Sequence, residues 1–269
     1  MTTRIGGSPN LPGAADALSA SALWDAHAQW WKRTFVDGAD PEYAGEILPL
    51  VVAELGGCRR VLDVGCGEGQ VARALAAEPC EQVVVGIDPS RRQLSNGVVA
   101  GGGVRYLQGQ GECLPFADRT FDGICCCLAI EHSEDGDALL GEVARVLAPG
   151  GRFLLLVNHP MYQGPASGFV DDQILGERYW RVGPYLNEGV TVEEVDVGIE
   201  IPFFHRPLSR YLNPLAALDV LLVAMFEPPP VPAFLRDSVD PELEGAIPRL
   251  LAMRFEHRPA VDAPKGREA

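Results

Sequence analysis

Residues 61–69, Val61-Leu62-Asp63-Val64-Gly65-Cys66-Gly67-Glu68-Gly69, run from a short apolar segment through an acid into three glycines spaced two apart, with a helical pattern behind them. A strand, turn and helix of this kind commit the chain to an α/β layer architecture. The glycines let the backbone turn sharply and leave main chain open for a ligand to lie against. Dinucleotide-binding turns also use glycines, but two residues depart from that pattern. Position 70 is Gln where the third fingerprint glycine would fall, and Asp63 stands just ahead of the glycines. A carboxylate there repels a pyrophosphate seated on the helix N-terminus, yet can pair, directly or through water, with a ligand that carries an ammonium group. The turn therefore reads as a nucleoside site with a cationic end.

A second apolar segment, 81–88, also ends in an acid, and in doubly wound folds an acid there accepts hydrogen bonds from the ribose hydroxyls. Asp88 is the expected ribose ligand. From Val61 to Asp88 the chain resembles the class I S-adenosylmethionine-dependent methyltransferases. The likeness continues through Gly109-Gln110-Gly111-Glu112-Cys113-Leu114-Pro115-Phe116, Phe121-Asp122 and Leu147-Ala148-Pro149-Gly150-Gly151-Arg152-Phe153. These motifs match the small-molecule, quinone-methylase-like (type 11) branch and cover about residues 58–158, in an order and at spacings that suit alternating strands and helices.

The resemblance implies a doubly wound, mostly parallel seven-stranded sheet, Rossmann-like, with N-terminal helices and an insertion after the fifth strand. It implies S-adenosylmethionine as cofactor and S-adenosylhomocysteine as product. The amino-acid end of the cofactor is expected on Gly65, Cys66, Gly67 and Gly69 with Asp63 near its amine, and the adenine beside Gln110, Gly111 and Glu112. Gln110 departs from the Asp usual in the relatives, so its contact to the adenine amine loses its charge. Cys127 and Leu128, with Ala129, are expected along the methionine moiety. In the resembling enzymes N-terminal helices close over cofactor and substrate, which makes Trp24, Trp31 and Tyr43 candidates for a lid over the acceptor; packing on the body of the fold competes with that role.

Of 269 residues, 22 are basic and 37 acidic, for a net charge of −15, which opposes docking on a polyanion and disfavours nucleic-acid substrates. No run of about 18 apolar residues is present, so no membrane partner is expected. Residues 1–13 have neither a basic start nor a long apolar stretch, and a cytoplasmic location is expected. Seven cysteines fit that compartment. None is spaced as a zinc knuckle, Cys125-Cys126-Cys127 read as small apolar residues of a buried strand, and no metal is expected.

Along the chain, residues 1–15 read as a flexible terminus, 16–57 as a helical lid and 58–269 as the catalytic domain, with a substrate-side insertion at about 160–206. The lid carries a helix over 18–36 and a second from Pro41 through Leu55, with a bend at Pro49. Strands are expected at 59–64, 82–87, 103–107, 121–127 and 151–157, with helices at 69–77, 90–99 and 136–147. In the insertion, 190–197 and 199–204 offer a hairpin. A helix at 207–218 and strands at 219–226 and 248–256 complete the sheet.

Methyl transfer from a sulfonium is an in-line displacement, so positioning in a dry pocket supplies much of the acceleration. A hydroxyl or ammonium acceptor also needs a proton acceptor, and histidine suits that role near neutral pH. His159, after the fifth strand, is the first choice, His205 the second and His132 the third; each also has a structural reading as a loop or hairpin anchor. Tyr162 and Tyr185 give the insertion a character suited to a small lipophilic acceptor. Two rivals stand beside methyl transfer: an NAD-dependent oxidoreductase and a non-catalytic S-adenosylmethionine-binding module. The acceptor atom and oligomeric state have no signature in the sequence.

Overall fold

The computed structural model describes residues 19–259 apart from 37, 80 and 237. The expected flexible terminus, the first lid residues and Cys80 lie outside the described residues. Helix α1 (Ala20–Phe35) starts where the Ser19 side chain accepts the Ala22 amide, satisfying an otherwise unpaired first-turn donor. A π-helical stretch (Tyr43–Ile47) then leads into α2 (Leu48–Leu55). The expected bend at Pro49 is corrected here. Pro49 sits in the first turn of α2, where its missing N–H costs little, and the irregularity lies upstream, where the Leu48 amide reaches back to the Tyr43 carbonyl.

The body alternates β1 (Arg60–Val64), α3 (Gln70–Ala76), β2 (Val83–Asp88), α4 (Arg91–Ala100), β3 (Arg105–Gln108), β4 (Phe121–Cys127), a 3-10 turn (Ile130–His132), α5 (Gly136–Val146) and β5 (Leu147–Asn158). An insertion of two hairpins follows: β6 (Gly168–Asp172) with β7 (Glu177–Arg181), and β8 (Gly189–Asp196) with β9 (Ile199–His205). Helix α6 (Ser209–Ala217), β10 (Val220–Phe226), a short α7 (Pro241–Gly245) and β11 (Leu250–His257) close the chain. The sheet order is β10-β11-β5-β4-β1-β2-β3, with β1 to β5 parallel and β11 antiparallel to both of its neighbours.

Two cores follow from the period of two along the central strands. Leu62 and Val64, Ile124 and Cys126, Phe153 and Leu155 face α5 and α6, where Leu140, Val143 and Leu215 meet them. Val61, Cys125, Cys127, Leu154 and Leu156 face the other way, onto Val51 and Leu55 of α2 and Val71 and Leu75 of α3. The cysteine triplet thus fills both faces of one buried strand. Each fully buried Leu or Ile contributes about 1.5–3 kcal/mol, and this double layer fixes the carboxyl ends of β1, β2 and β4 side by side.

The β6–β7 hairpin and α7 were not among the expected elements. The former turns through Gly176 at φ +67°, with Asp172 accepting the amides of Ile174 and Leu175. Strand β3 begins two residues later than expected because Gly101, Gly102 and Gly103 all take positive φ. Strand β5 runs back to Leu147, opposite Phe121, across an irregular register.

Candidate functional site

The order of the strands reverses direction of growth at β1, with β2 on one side and β4 on the other, and crevices outside such carboxyl ends receive ligands. A cavity of about 480 Å3 opens there. Its floor is the turn after β1, the end of β2, residues 109–112 after β3 and residues 127–129 after β4. Helix α1 supplies Leu23, Trp24 and Trp31 to the roof, beside Tyr43, while the β8–β9 hairpin supplies Val190, Val192, Pro202 and Phe204.

Gly65 adopts φ +71°, and a Cβ built on it would stand 2.4 Å from that of Ala129, so the turn after β1 can close on the β4 loop only with glycine. At Gly67, also at positive φ, the direction a side chain would take is open toward the cavity, with Trp31 Nε1 its nearest neighbour at 4.0 Å. Gly69 caps α3 and packs against the Tyr106 ring, outside the cavity lining. It was expected at the ligand; its place in the structure is in closing the turn ahead of α3. At the end of β4, Leu128 holds φ +50°, unusual for a residue with a Cβ, while its amide donates to the Leu156 carbonyl.

Asp63 is 1% exposed. Burial first, and then the charges of Asp88 and Glu68, push its carboxyl up to about 7, although the Ala72 amide opposes the rise. Its buried Oδ2 has no hydrogen-bond partner, and Asp63 is among the residues lining the cavity. Asp88 accepts the Gly67 amide on Oδ2 and the Ser90 amide on Oδ1, both at 2.8 Å; burial nonetheless raises its carboxyl to about 6. Glu68 is ion-paired to Arg73 at 2.6 Å, and Glu112 accepts the Ser133 hydroxyl. Cys66, Gln110, Gly111, Glu112, Cys127 and Leu128 all line the same space.

Helix α1 is tied down at two points. Asp25 Oδ1 accepts the Ser90 hydroxyl at 2.6 Å and the Arg92 amide at 2.9 Å, and Trp30 Nε1 donates to Asp196 Oδ2 at 3.0 Å. One helix therefore links the start of α4, next to Asp88, to the tip of the β8–β9 hairpin.

Of the three histidines, His132 lines the cavity and the other two do not. His159 lies 7% exposed, its Nδ1 accepting the Met161 amide and its Nε2 donating to Glu227 at 3.0 Å. His205 bonds the Tyr185 carbonyl at 2.8 Å and borders a separate void of about 20 Å3 with Glu131, Asn158 and Arg206. Tyr162 is stacked on Trp180 with centroids 4.6 Å apart, and the Tyr185 hydroxyl accepts the Leu208 amide. These four residues anchor the insertion instead of facing the cavity, because the β8–β9 hairpin, not the turn after β5, forms the wall. The wall residues Val190, Val192, Pro202 and Phe204 were missed; the alternation of 190 with 192, and of 202 with 204, was the signal available. Buried Glu131 was missed too. Burial raises its carboxyl to about 7, although the Asn158 amide it accepts at 3.1 Å opposes the rise.

Residues 62–155 match the protein family described as a methyltransferase domain. An uncharacterized methyltransferase, YcgJ, of Bacillus subtilis is 40% identical over 128 residues, which cover 45% of this chain and 49% of the relative. The ubiquinone/menaquinone biosynthesis C-methyltransferase UbiE of Desulfotalea psychrophila is 32% identical over 150 residues, covering 54% of this chain and 58% of the relative. The chain thus spans about half the length of the curated relatives it matches. The crystal structure of an S-adenosylmethionine-dependent methyltransferase from Mesorhizobium loti matches with a TM-score of 0.67 and 28% identity, over 81% of this chain and 98% of that one. With the sheet order, the glycine turn and the two strand-end acids in place, these matches show a methyltransferase domain over residues 62–155 in a chain with the class I S-adenosylmethionine-dependent methyltransferase fold, similar over about half its length to quinone-methylase-like relatives.

Proposed function

We propose that the protein transfers the methyl group of S-adenosylmethionine to a small-molecule acceptor by in-line displacement, without a metal. The observation that carries this reading is Asp63, which lines the cavity beside the glycine turn and whose buried Oδ2 has no hydrogen-bond partner. An unpaired buried acid is costly, and a cationic ligand group relieves it, whereas a pyrophosphate would worsen it. The residues present thus fit the cofactor, which supplies an electrophilic methyl on a positively charged sulfur. Gly65, Cys66 and Gly67 offer main chain for its amino-acid end. Asp88 has lone pairs left for the ribose hydroxyls after accepting its two amides. Gln110, Gly111 and Glu112 serve the adenine, and Cys127 and Leu128 the methionine chain. Trp24, Trp31 and Tyr43 exclude water above the reacting centre and hold the acceptor in line.

In the same reading the α1 and α2 region is the lid on the domain that begins near residue 58. The acidic surface keeps nucleic acid out, and the protein works in the cytoplasm, where reduced buried cysteines persist. Among the described residues no helix is long and apolar enough to cross a membrane, and no group of three His, Cys, Asp or Glu side chains is placed to hold a metal ion. Calorimetric titration with S-adenosylmethionine, S-adenosylhomocysteine and NAD tests the proposal. Saturable binding of the two sulfur nucleosides without a response to NAD is expected, and binding of NAD alone would overturn it.

A further inference from the structure

The two ends of the cavity differ in chemistry. The floor is polar; the roof is walled by Trp24, Trp31, Tyr43, Val192 and Phe204. Charge is one-sided throughout: Asp63, Glu68, Asp88, Glu112 and Glu134 line the space, and among the described residues no Lys or Arg does. The nearby arginines are committed elsewhere. Arg73 is paired with Glu68, and Arg206 donates beneath the loop to the carbonyls of Ile130, Ser133 and Glu134. A carboxylate or phosphate entering this space gives up its water with no cation to replace it.

One side chain at the apolar end can take a proton. His132 closes the 3-10 turn that Arg206 grips, with its Nδ1 2.9 Å from the Pro202 carbonyl. A carbonyl only accepts, so Nδ1 carries the hydrogen and Nε2 the lone pair. Among the described residues the imidazole bonds the protein through Nδ1 alone. The ring is held edge-on to Trp24, with centroids 5.1 Å apart, and against Phe203 at 4.8 Å, and burial keeps it neutral by pushing its pKa down to about 4.

We propose that the acceptor is an apolar molecule without an anionic group that presents its nucleophilic O–H or N–H group to Nε2 of His132. This rests on the methyl-transfer reading and narrows it to heteroatom acceptors without an acidic group. In the step, the acceptor's oxygen or nitrogen bonds to the methyl carbon, the carbon–sulfur bond breaks with its electron pair going to sulfur, and the acceptor's proton passes to Nε2. The positive charge moves from sulfur to imidazole, so atoms and charge balance.

The test is binding to protein loaded with S-adenosylhomocysteine, using three matched two-ring probes: 2-naphthol, 2-methoxynaphthalene, which has no O–H, and 2-naphthoate. 2-Naphthol is expected to bind about fivefold tighter than the methyl ether, the worth of one neutral hydrogen bond, and at least about tenfold tighter than the carboxylate, which no cation receives. In His132→Phe, which keeps an aromatic ring at the position, the preference for naphthol over its ether should vanish while the preference over naphthoate stays. Val192→Lys, on the exposed side of the wall, should raise naphthoate affinity about tenfold. Equal binding of naphthoate and naphthol, an unchanged naphthol preference in His132→Phe, or no naphthyl binding to the loaded protein would each overturn the proposal. Failure to load S-adenosylhomocysteine at all would instead overturn the methyl-transfer reading.

Discussion

Asp63→Asn separates the electrostatic cost of the site from its packing. Asp63 is buried to 1% exposure beside Asp88 and Glu68, and its carboxyl is raised from 3.8 to about 7. A folded pKa above the unfolded one means the native chain holds a proton that the unfolded chain releases. Between pH 4 and 7 the unfolded state therefore binds fewer protons, and stability falls as pH rises through that window. From pH 5 to 7 the loss from this group is about 2 kcal/mol, a little under the full 1.36 kcal/mol per unit because the folded group is half titrated at pH 7. In a domain of this size that is roughly 4–8 °C in Tm. Asn does not ionise, and its Oδ1 still accepts the Ala72 amide, but its Nδ2 is a buried donor without a partner, which costs about 1–3 kcal/mol at every pH. The variant should melt below the wild type at pH 5 and should recover most or all of the difference by pH 8. The repulsion from a net charge of −15 acts on both proteins and cancels in the comparison. Thermal melts of the two proteins at pH 5, 6, 7 and 8, without added ligand, give the result. A Tm offset that stays the same across the series would refute the reasoning.

Three further outcomes follow from the geometry. Asp88→Ala removes the acceptor of the Gly67 and Ser90 amides together with the proposed ribose contacts, and should weaken S-adenosylmethionine binding at least about tenfold by calorimetry; unchanged affinity in a folded variant would sink the assignment. Gly65→Ala forces a side chain onto φ +71° and into the Ala129 methyl at 2.4 Å, so a loss of about 2 kcal/mol or more is expected in denaturant titration, and a neutral result would show that the β4 loop moves freely. Trp30→Phe deletes the bond to Asp196, and amide exchange in residues 20–35 should quicken about fivefold while β1, β4 and β5 keep their protection; equal acceleration in the sheet would mean α1 opens only with global unfolding.

The parts of the site legible in the sequence are those made at the end of a strand. Asp63, Gly65, Asp88, Gln110 and Cys127 each sit within two residues of the carboxyl end of a strand, and a parallel sheet brings all such ends to one edge whatever lies between them. His159 shares that address, yet its ring is claimed by the Met161 amide and Glu227, partners no local pattern announces. The β6–β7 hairpin escaped for a different reason. Its strands carry Asp171, Asp172, Glu177, Arg178 and Arg181 among the apolar positions and none of its residues is buried, so no hydrophobic alternation marks it. The widened turn at Tyr43–Ile47 had no marker but the proline after it.

In the proposed reading, the α1 contacts couple the roof of the cavity to its floor. Asp88 is bonded to the Ser90 amide, the Ser90 hydroxyl donates to Asp25, and Trp30 five residues along the same helix donates to Asp196 on the hairpin that walls the acceptor side. A ligand that draws Asp88 toward itself therefore pulls on the start of α4 and, through Asp25, on the helix that carries Trp24 and Trp31 over the cavity. The raised carboxyls of Asp63 and Asp88 supply the other half of the argument. Both are held in a state that costs stability near neutral pH, and a cation placed between the glycine turn and the roof relieves that cost. Binding at the floor and ordering of the roof are then favoured by the same charge, which is the arrangement required if water is to leave before the acceptor meets the methyl group.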